Sequence, residues 1–172
     1  MKTLNALLAV VILAGVAGAP LAAAQPFDPG VPPPKVPADY YVGAEKAVYH
    51  LSVNPEEKGY LAVLGNVRNH LNALVASGVK PEIKVVINGD GLGLLQLAHE
   101  QEFDANARLP AAITELREKG VQFLVCYNTL TGRKIPMAKL YGAKPGDLVP
   151  AGVAEVAEVA RLQALGYHLV KP

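Results

Sequence analysis

Cysteine is nearly absent from this chain: Cys126 is the single one in 172 residues. That excludes an internal disulfide framework and any Cys-rich zinc or iron–sulfur site. Charge is sparse as well, at 18% of residues with a formal net of +1, so there is no electrostatic footprint for nucleic acid. The histidines His50, His70, His99 and His168 show no ligand spacing such as His-x-x-x-His, and neither a metal nor a cofactor is expected. No Gly-x-Ser-x-Gly elbow occurs, and the acids are scattered over helices and turns, so paired-carboxylate hydrolysis has no support. No internal repeat is visible. With 51% hydrophobic residues the chain is not disordered, and its length suits one domain.

The N-terminus carries Lys2, then an apolar heart from Leu7 to Ala14, and ends in Ala22-Ala23-Ala24-Gln25. One positive charge, a short apolar stretch and an Ala-x-Ala end are the parts of a secretory signal peptide over residues 1–24. Cleavage there leaves a mature chain of zero net charge, in the periplasm or secreted. The competing reading is an uncleaved anchor, for which the apolar heart is short and Gly15, Gly18 and Pro20 are poor helix residues. Only in that case is a membrane involved. Residues 25–42 are Pro-rich: Pro26, Pro29, Pro32, Pro33, Pro34 and Pro37 fix φ and remove donors. They read as a stiff tether, or else as a ligand for a proline-binding module. The folded unit is then 43–172.

Within that unit, strand and helix patterns alternate. Lys46–Ser52, Glu82–Asn88, Val121–Cys126, Asp147–Val149 and Tyr167–Val170 read as strands. Leu61, Leu64, Val67, Leu71 and Leu74 mark one face of a long helix that starts at Asn54-Pro55-Glu56-Glu57 and stops at Gly78. A helix carries Leu94, Leu95 and Leu97, another starts at Pro110, a short turn spans Thr129–Lys134, and the last opens at Pro150. This alternation predicts an α/β fold: a three-layer α/β/α sandwich around a mainly parallel sheet of about five strands. Ligands of such sheets sit beyond the carboxyl ends of the strands.

Three segments share that edge: His50–Ser52, Asn88–Gly93 and Cys126–Thr129. Cys126 ends a hydrophobic strand just before Asn128 and Thr129, either of which could cap the next helix. Backbone N–H groups and a positive helix end would favour its thiolate. The competing reading is a cysteine packed like a small hydrophobe. His50 is either the partner of Cys126 or a satisfied core histidine. Gly89-Asp90-Gly91-Leu92-Gly93 could cradle a phosphate, but Gln96 stands where the dinucleotide fingerprint needs glycine, so a tight strand-to-helix turn is the simpler reading.

The stretches Gly120–Leu130 and Ile87–Leu95, in order with Val48-Tyr49-His50-Leu51 and Leu162–Tyr167, resemble the DsrE/DsrF-like (YchN-like) family, and within it the exported single-domain branch. The resemblance implies a five-stranded parallel sheet in three layers and a homo-oligomer, a trimer or hexamer. In relay members of that family a cysteine after the third strand carries sulfur as a persulfide, and Cys126 holds the matching position. Those members follow it with an Arg-rich turn and glycine, of which Tyr127-Asn128-Thr129-Leu130-Thr131-Gly132-Arg133 keeps part. The expected function is therefore exported sulfur handling, with a sulfur donor or acceptor protein as partner. Cys126 is the reactive thiol, and His50, Asn88, Gly89, Gly91, Asn128 and Thr129 line its site. The alternative is an oligomeric binding domain, not an enzyme, in which Cys126 is structural.

Overall fold

The computed structural model describes residues 44–150 and 155–172. The leader and the tether lie outside the described residues, as do residues 151–154, where the helix expected to open at Pro150 would begin. In chain order the elements are β1 (Ala44–Leu51), α1 (Glu56–Ala76), β2 (Lys80–Ile87), a 3-10 turn (Gly89–Leu92), α2 (Gly93–Glu100), α3 (Arg108–Glu118), β3 (Gln122–Cys126), α4 (Tyr127–Arg133), two further 3-10 turns, β4 (Leu148–Val149), α5 (Glu155–Ala164) and β5 (His168–Val170). All five strands are parallel, in the order β4-β3-β2-β1-β5. The α/β fold with a five-stranded parallel sheet is as the alternating pattern predicts.

The first face of the sheet holds most of the core. Tyr49 and Leu51 of β1, Val85 and Ile87 of β2, and Phe123 and Val125 of β3 pack on α1, α2 and α3. On α1 the buried stripe is Tyr60, Val63, Leu64, Val67, Leu71 and Leu74. The expected Leu61 is only partly buried, because Tyr60 lies nearer the centre of that stripe. The second face is covered by less: Val48 and Val86 meet Val159, Leu162 and Tyr167 of the α5–β5 segment. Lys46, Glu82, Lys84 and Gln122 fall on the same alternation and are not buried. Each fully buried Leu, Ile or Phe contributes about 1.5–3 kcal/mol, so the first face dominates stability.

Helix starts differ from expectation by local chemistry. Pro55 occupies the cap position of α1, and Asn54 Oδ1 accepts from Glu56 N–H at 3.1 Å. The helix thus starts one residue later than a cap at Asn54 with Pro55 as the first helical residue would place it. Helix α3 begins at Arg108, ahead of Pro110, because a proline in the first turn forfeits only an N–H that has no intrahelical partner. Pro150 follows β4 directly and is not helical.

Tyr60 ties α1 to the strand-end edge, its hydroxyl donating to Asp90 O at 3.2 Å. Burial, reinforced by the Asp90 charge, pushes its pKa up to about 12. A raised folded-state pKa means that this stability is complete below the ordinary tyrosine value of 10 and is lost as pH rises towards 12. Urea unfolding between those pH values should show a loss on the order of 2 kcal/mol in wild type, and a smaller one in Tyr60→Phe. Equal losses in both would exclude Tyr60 as the cause.

Candidate functional site at the carboxyl ends of the strands

The strand register brings the candidate residues together. Val86 of β2 pairs with both His50 of β1 and Leu124 of β3, and Ile87 with Leu51 and Val125. Side chains alternate along each strand, so His50, Asn88 and Cys126 share the second face at its carboxyl edge. Asn88 is 3% exposed and still extended, and its Oδ1 lies 3.1 Å from His50 Nε2. Asn88 N–H donates to Leu51 O at 3.1 Å, which extends the β1–β2 pairing by one step.

Cys126 is the cap of α4 itself. Its Sγ accepts from Thr129 N–H at 3.3 Å and from Thr129 Oγ1 at 3.0 Å. The capping role expected of Asn128 or Thr129 therefore falls to the sulfur, with Thr129 as its donor. Asn128 is exposed and contributes its carbonyl oxygen to Thr131 Oγ1. The Thr129 hydroxyl has a defined direction. Its oxygen accepts from Gly89 N–H at 3.2 Å, which leaves its proton for the sulfur. Gly89, Thr129 and Cys126 thus form a short chain of hydrogen bonds across two strand ends.

The glycines of the turn are required by space and conformation. Gly89 has φ +48°, and a Cβ there would lie 3.3 Å from Ser52 O. At Gly91 a Cβ would collide with the Leu51 carbonyl. Gly91 N–H donates to Asn88 O at 2.8 Å and Gly89 N–H is committed to Thr129, so two of the amides a phosphate cradle would use are already occupied. The strand-to-helix turn is the reading that fits.

Arg133 pairs with an acid: its Nη1 lies 2.6 Å from Asp90 Oδ1. That pair bridges the Gly-rich turn and α4 on the solvent side. Beyond His50, a cleft of about 320 Å3 opens between the ends of β1 and β5, lined by His50, Leu51, Ser52, Val53, Lys171 and Pro172. This is where the chain order of the sheet reverses, the usual place for a ligand. His99 points elsewhere, to Glu102 at 3.3 Å, and His70 bonds Tyr49 across the first face at 3.0 Å. Among the described residues no group of three or more His, Cys, Asp or Glu is placed to hold a metal ion, and no helix is long and apolar enough to cross a membrane.

Residues 66–172 match the model of the DsrE/DsrF-like family, more than half of the chain. This chain belongs to the DsrE/DsrF-like family. The matched span includes Asn88, Gly89, Gly91, Cys126, Asn128 and Thr129, while His50 precedes it. Among solved structures the chain is similar to MTH1491 from Methanobacterium thermoautotrophicum, titled a protein of unknown function. The identity is 24% and the TM-score 0.57, over 74% of this chain and 99% of that one, a likeness of fold. No curated protein matches. Sequence reasoning placed His50–Ser52 at this edge but missed Lys171, which shares the cleft with His50. Lys171 has no local signal, since nothing near it in sequence points to β1.

Proposed function

We propose that this DsrE/DsrF-like chain is an exported sulfur-handling protein, periplasmic or secreted, in which Cys126 carries sulfur as a persulfide. The observation that supports it best is the double donation from Thr129 to Cys126 Sγ, one donor being a hydroxyl oriented by Gly89. Donors on sulfur favour the negative charge that a nucleophilic thiolate must hold. The Cys126 thiolate attacks the sulfane sulfur of a donor persulfide R–S–SH. A new S–S bond forms, the donor S–S bond breaks, and R–S⁻ leaves. The resulting Cys126–S–SH passes its outer sulfur to an acceptor thiolate by the same exchange, which returns Cys126–S⁻ and consumes no oxidant. His50, held by Asn88, together with the Thr129 amide and the Thr129 hydroxyl that Gly89 orients, positions and balances the anion. The working form is a homo-oligomer, a trimer or hexamer, and the donor and acceptor are proteins that carry thiols.

Thr129 provides the sharpest local test. Thr129→Val removes the hydroxyl donor but keeps the shape, while Thr129→Ser keeps the donor. A hydrogen bond to a charged group is worth about 1.5–3 kcal/mol, so the valine variant should load sulfur at least about tenfold more slowly. The serine variant should stay within about twofold of wild type, on the same estimate. Equal rates in all three would remove the Thr129 hydroxyl from the reaction.

One observation favours a second reading: Cys126 is only 2% exposed. In that reading the chain is a binding domain, not an enzyme, and Cys126 closes the core at the strand end. Labelling by a small neutral thiol reagent at neutral pH separates the two. A carrier labels within minutes in its native state, whereas a packed cysteine labels only as the protein unfolds.

A further inference from the structure

Phe103 is 93% exposed, in the connection between α2 and α3. That connection is not slack. Glu102 N–H donates to His99 O at 3.3 Å, Asp104 N–H to Gln101 O at 3.0 Å, and Ala107 N–H to Asp104 O at 2.9 Å, while Asp104 Oδ1 accepts from Asn106 N–H at 2.9 Å. The ring is therefore presented on an ordered loop, and docking it costs little further ordering. Acids surround it: Glu100, Glu102 and Asp104 are all exposed. Elsewhere on the same chain an apolar groove of about 480 Å3 runs between α4 and β4, floored by Leu130, Ile135, Met137 and Leu148, with the half-exposed Tyr127 at one wall. Lys134 lines it, and Lys139 lies exposed two residues beyond Met137. The chain's own Phe103 does not fill it, since almost the whole residue meets solvent.

We infer that this groove receives Phe103 of a second copy of the chain, with the acidic loop meeting Lys134 and Lys139. An exposed aromatic ring has an apolar surface to bury, the open groove offers one, and the charges are complementary, acidic around the ring and basic around the groove. Knob and groove are different patches, so each copy gives its knob to the next in a head-to-tail contact. Because the groove starts at Tyr127, the contact begins one residue from Cys126 in the chain. The inference rests on the homo-oligomer proposed above and names its contact.

Sedimentation velocity of the purified full chain tests it, with circular dichroism melting as the fold control. Wild type should sediment as a multimer. Phe103→Asp should weaken association by about thirtyfold or more, the scale of an aromatic hot spot. Met137→Glu should do the same from the groove side, and Lys134→Glu, wholly at the surface, repeats that test without touching packing. Mixing Phe103→Asp with Met137→Glu leaves one intact knob and one intact groove, and should restore a dimer that neither variant forms alone. A wild-type multimer that survives all three substitutions overturns the contact and leaves the assembly standing. A monomeric wild type overturns both.

Discussion

Replacing Cys126 by serine is expected to abolish sulfur loading completely. After polysulfide treatment the wild-type chain should gain the mass of one sulfur atom, lost again on adding a reductant, and Cys126→Ser should gain none. The effect is all or nothing because the chain has no other thiol. Serine keeps the size and can still accept from Thr129, so the site should survive the exchange. What disappears is the polarisable sulfur, the only atom here that can form a stable S–S–H group at neutral pH. Intact-protein mass spectrometry reads the result directly. No gain in wild type, or an equal gain in Cys126→Ser, would end the sulfur-carrier proposal, and a buried structural cysteine would take its place.

The largest stability loss should come from a residue with no side chain. Gly91→Ala places a methyl group against the Leu51 carbonyl, 2.7 Å from its carbon and closer still to its oxygen. That oxygen already accepts the Asn88 amide across β1 and β2. Neither backbone can retreat without losing that bond or moving Gly89 off Thr129. Forcing atoms into a packed core costs about 1–3 kcal/mol, and a rigid backbone neighbour puts this case at the upper end or beyond. A fall in Tm of roughly 10 °C follows for a domain of this size. Gly132→Ala is the control: it lies in exposed α4 with nothing within 4 Å of the new Cβ, and it should be neutral or slightly stabilising. A melting temperature within about 2 °C of wild type for Gly91→Ala would show that the turn can yield after all.

Much of the fold was legible because its causes are local. The stripe from Leu64 to Leu74 repeats with the helical turn, so α1 shows itself over twenty residues without reference to anything else. Strand β3 is a short apolar run between Gly120 and Tyr127, and Gly120, with φ +90°, marks the break before it. The errors sit where local rules compete. At Asn54-Pro55 either residue could hold the cap position, and in the structure Pro55 holds it while the Asn54 side chain accepts from Glu56 N–H. Leu61 and the Tyr60 ring can both cover apolar surface, and only the packing decides which points inward.

The site was legible by type but not by arrangement. Cys126 stood out as one thiol at a strand end, a property of its own segment. His50 and Asn88 are 38 residues apart, Gly89 and Thr129 are 40, and Asp90 and Arg133 are 43. Those pairings depend on which strands adjoin, and adjacency is set by burying the first face as a whole. The sequence alone determined that the domain is a parallel α/β sandwich whose reactive candidate lies at a carboxyl strand end, because periodicity and turn chemistry act over a few residues. Only the tertiary structure decided that the sulfur caps its own helix, that Thr129 is its donor, that Arg133 meets Asp90, and that Lys171 closes the cleft beside His50. The first two lie within one helix start, but the Thr129 hydroxyl is oriented by Gly89, and that bond, the Arg133–Asp90 pair and the meeting of Lys171 with His50 join distant segments through packing that no single segment encodes.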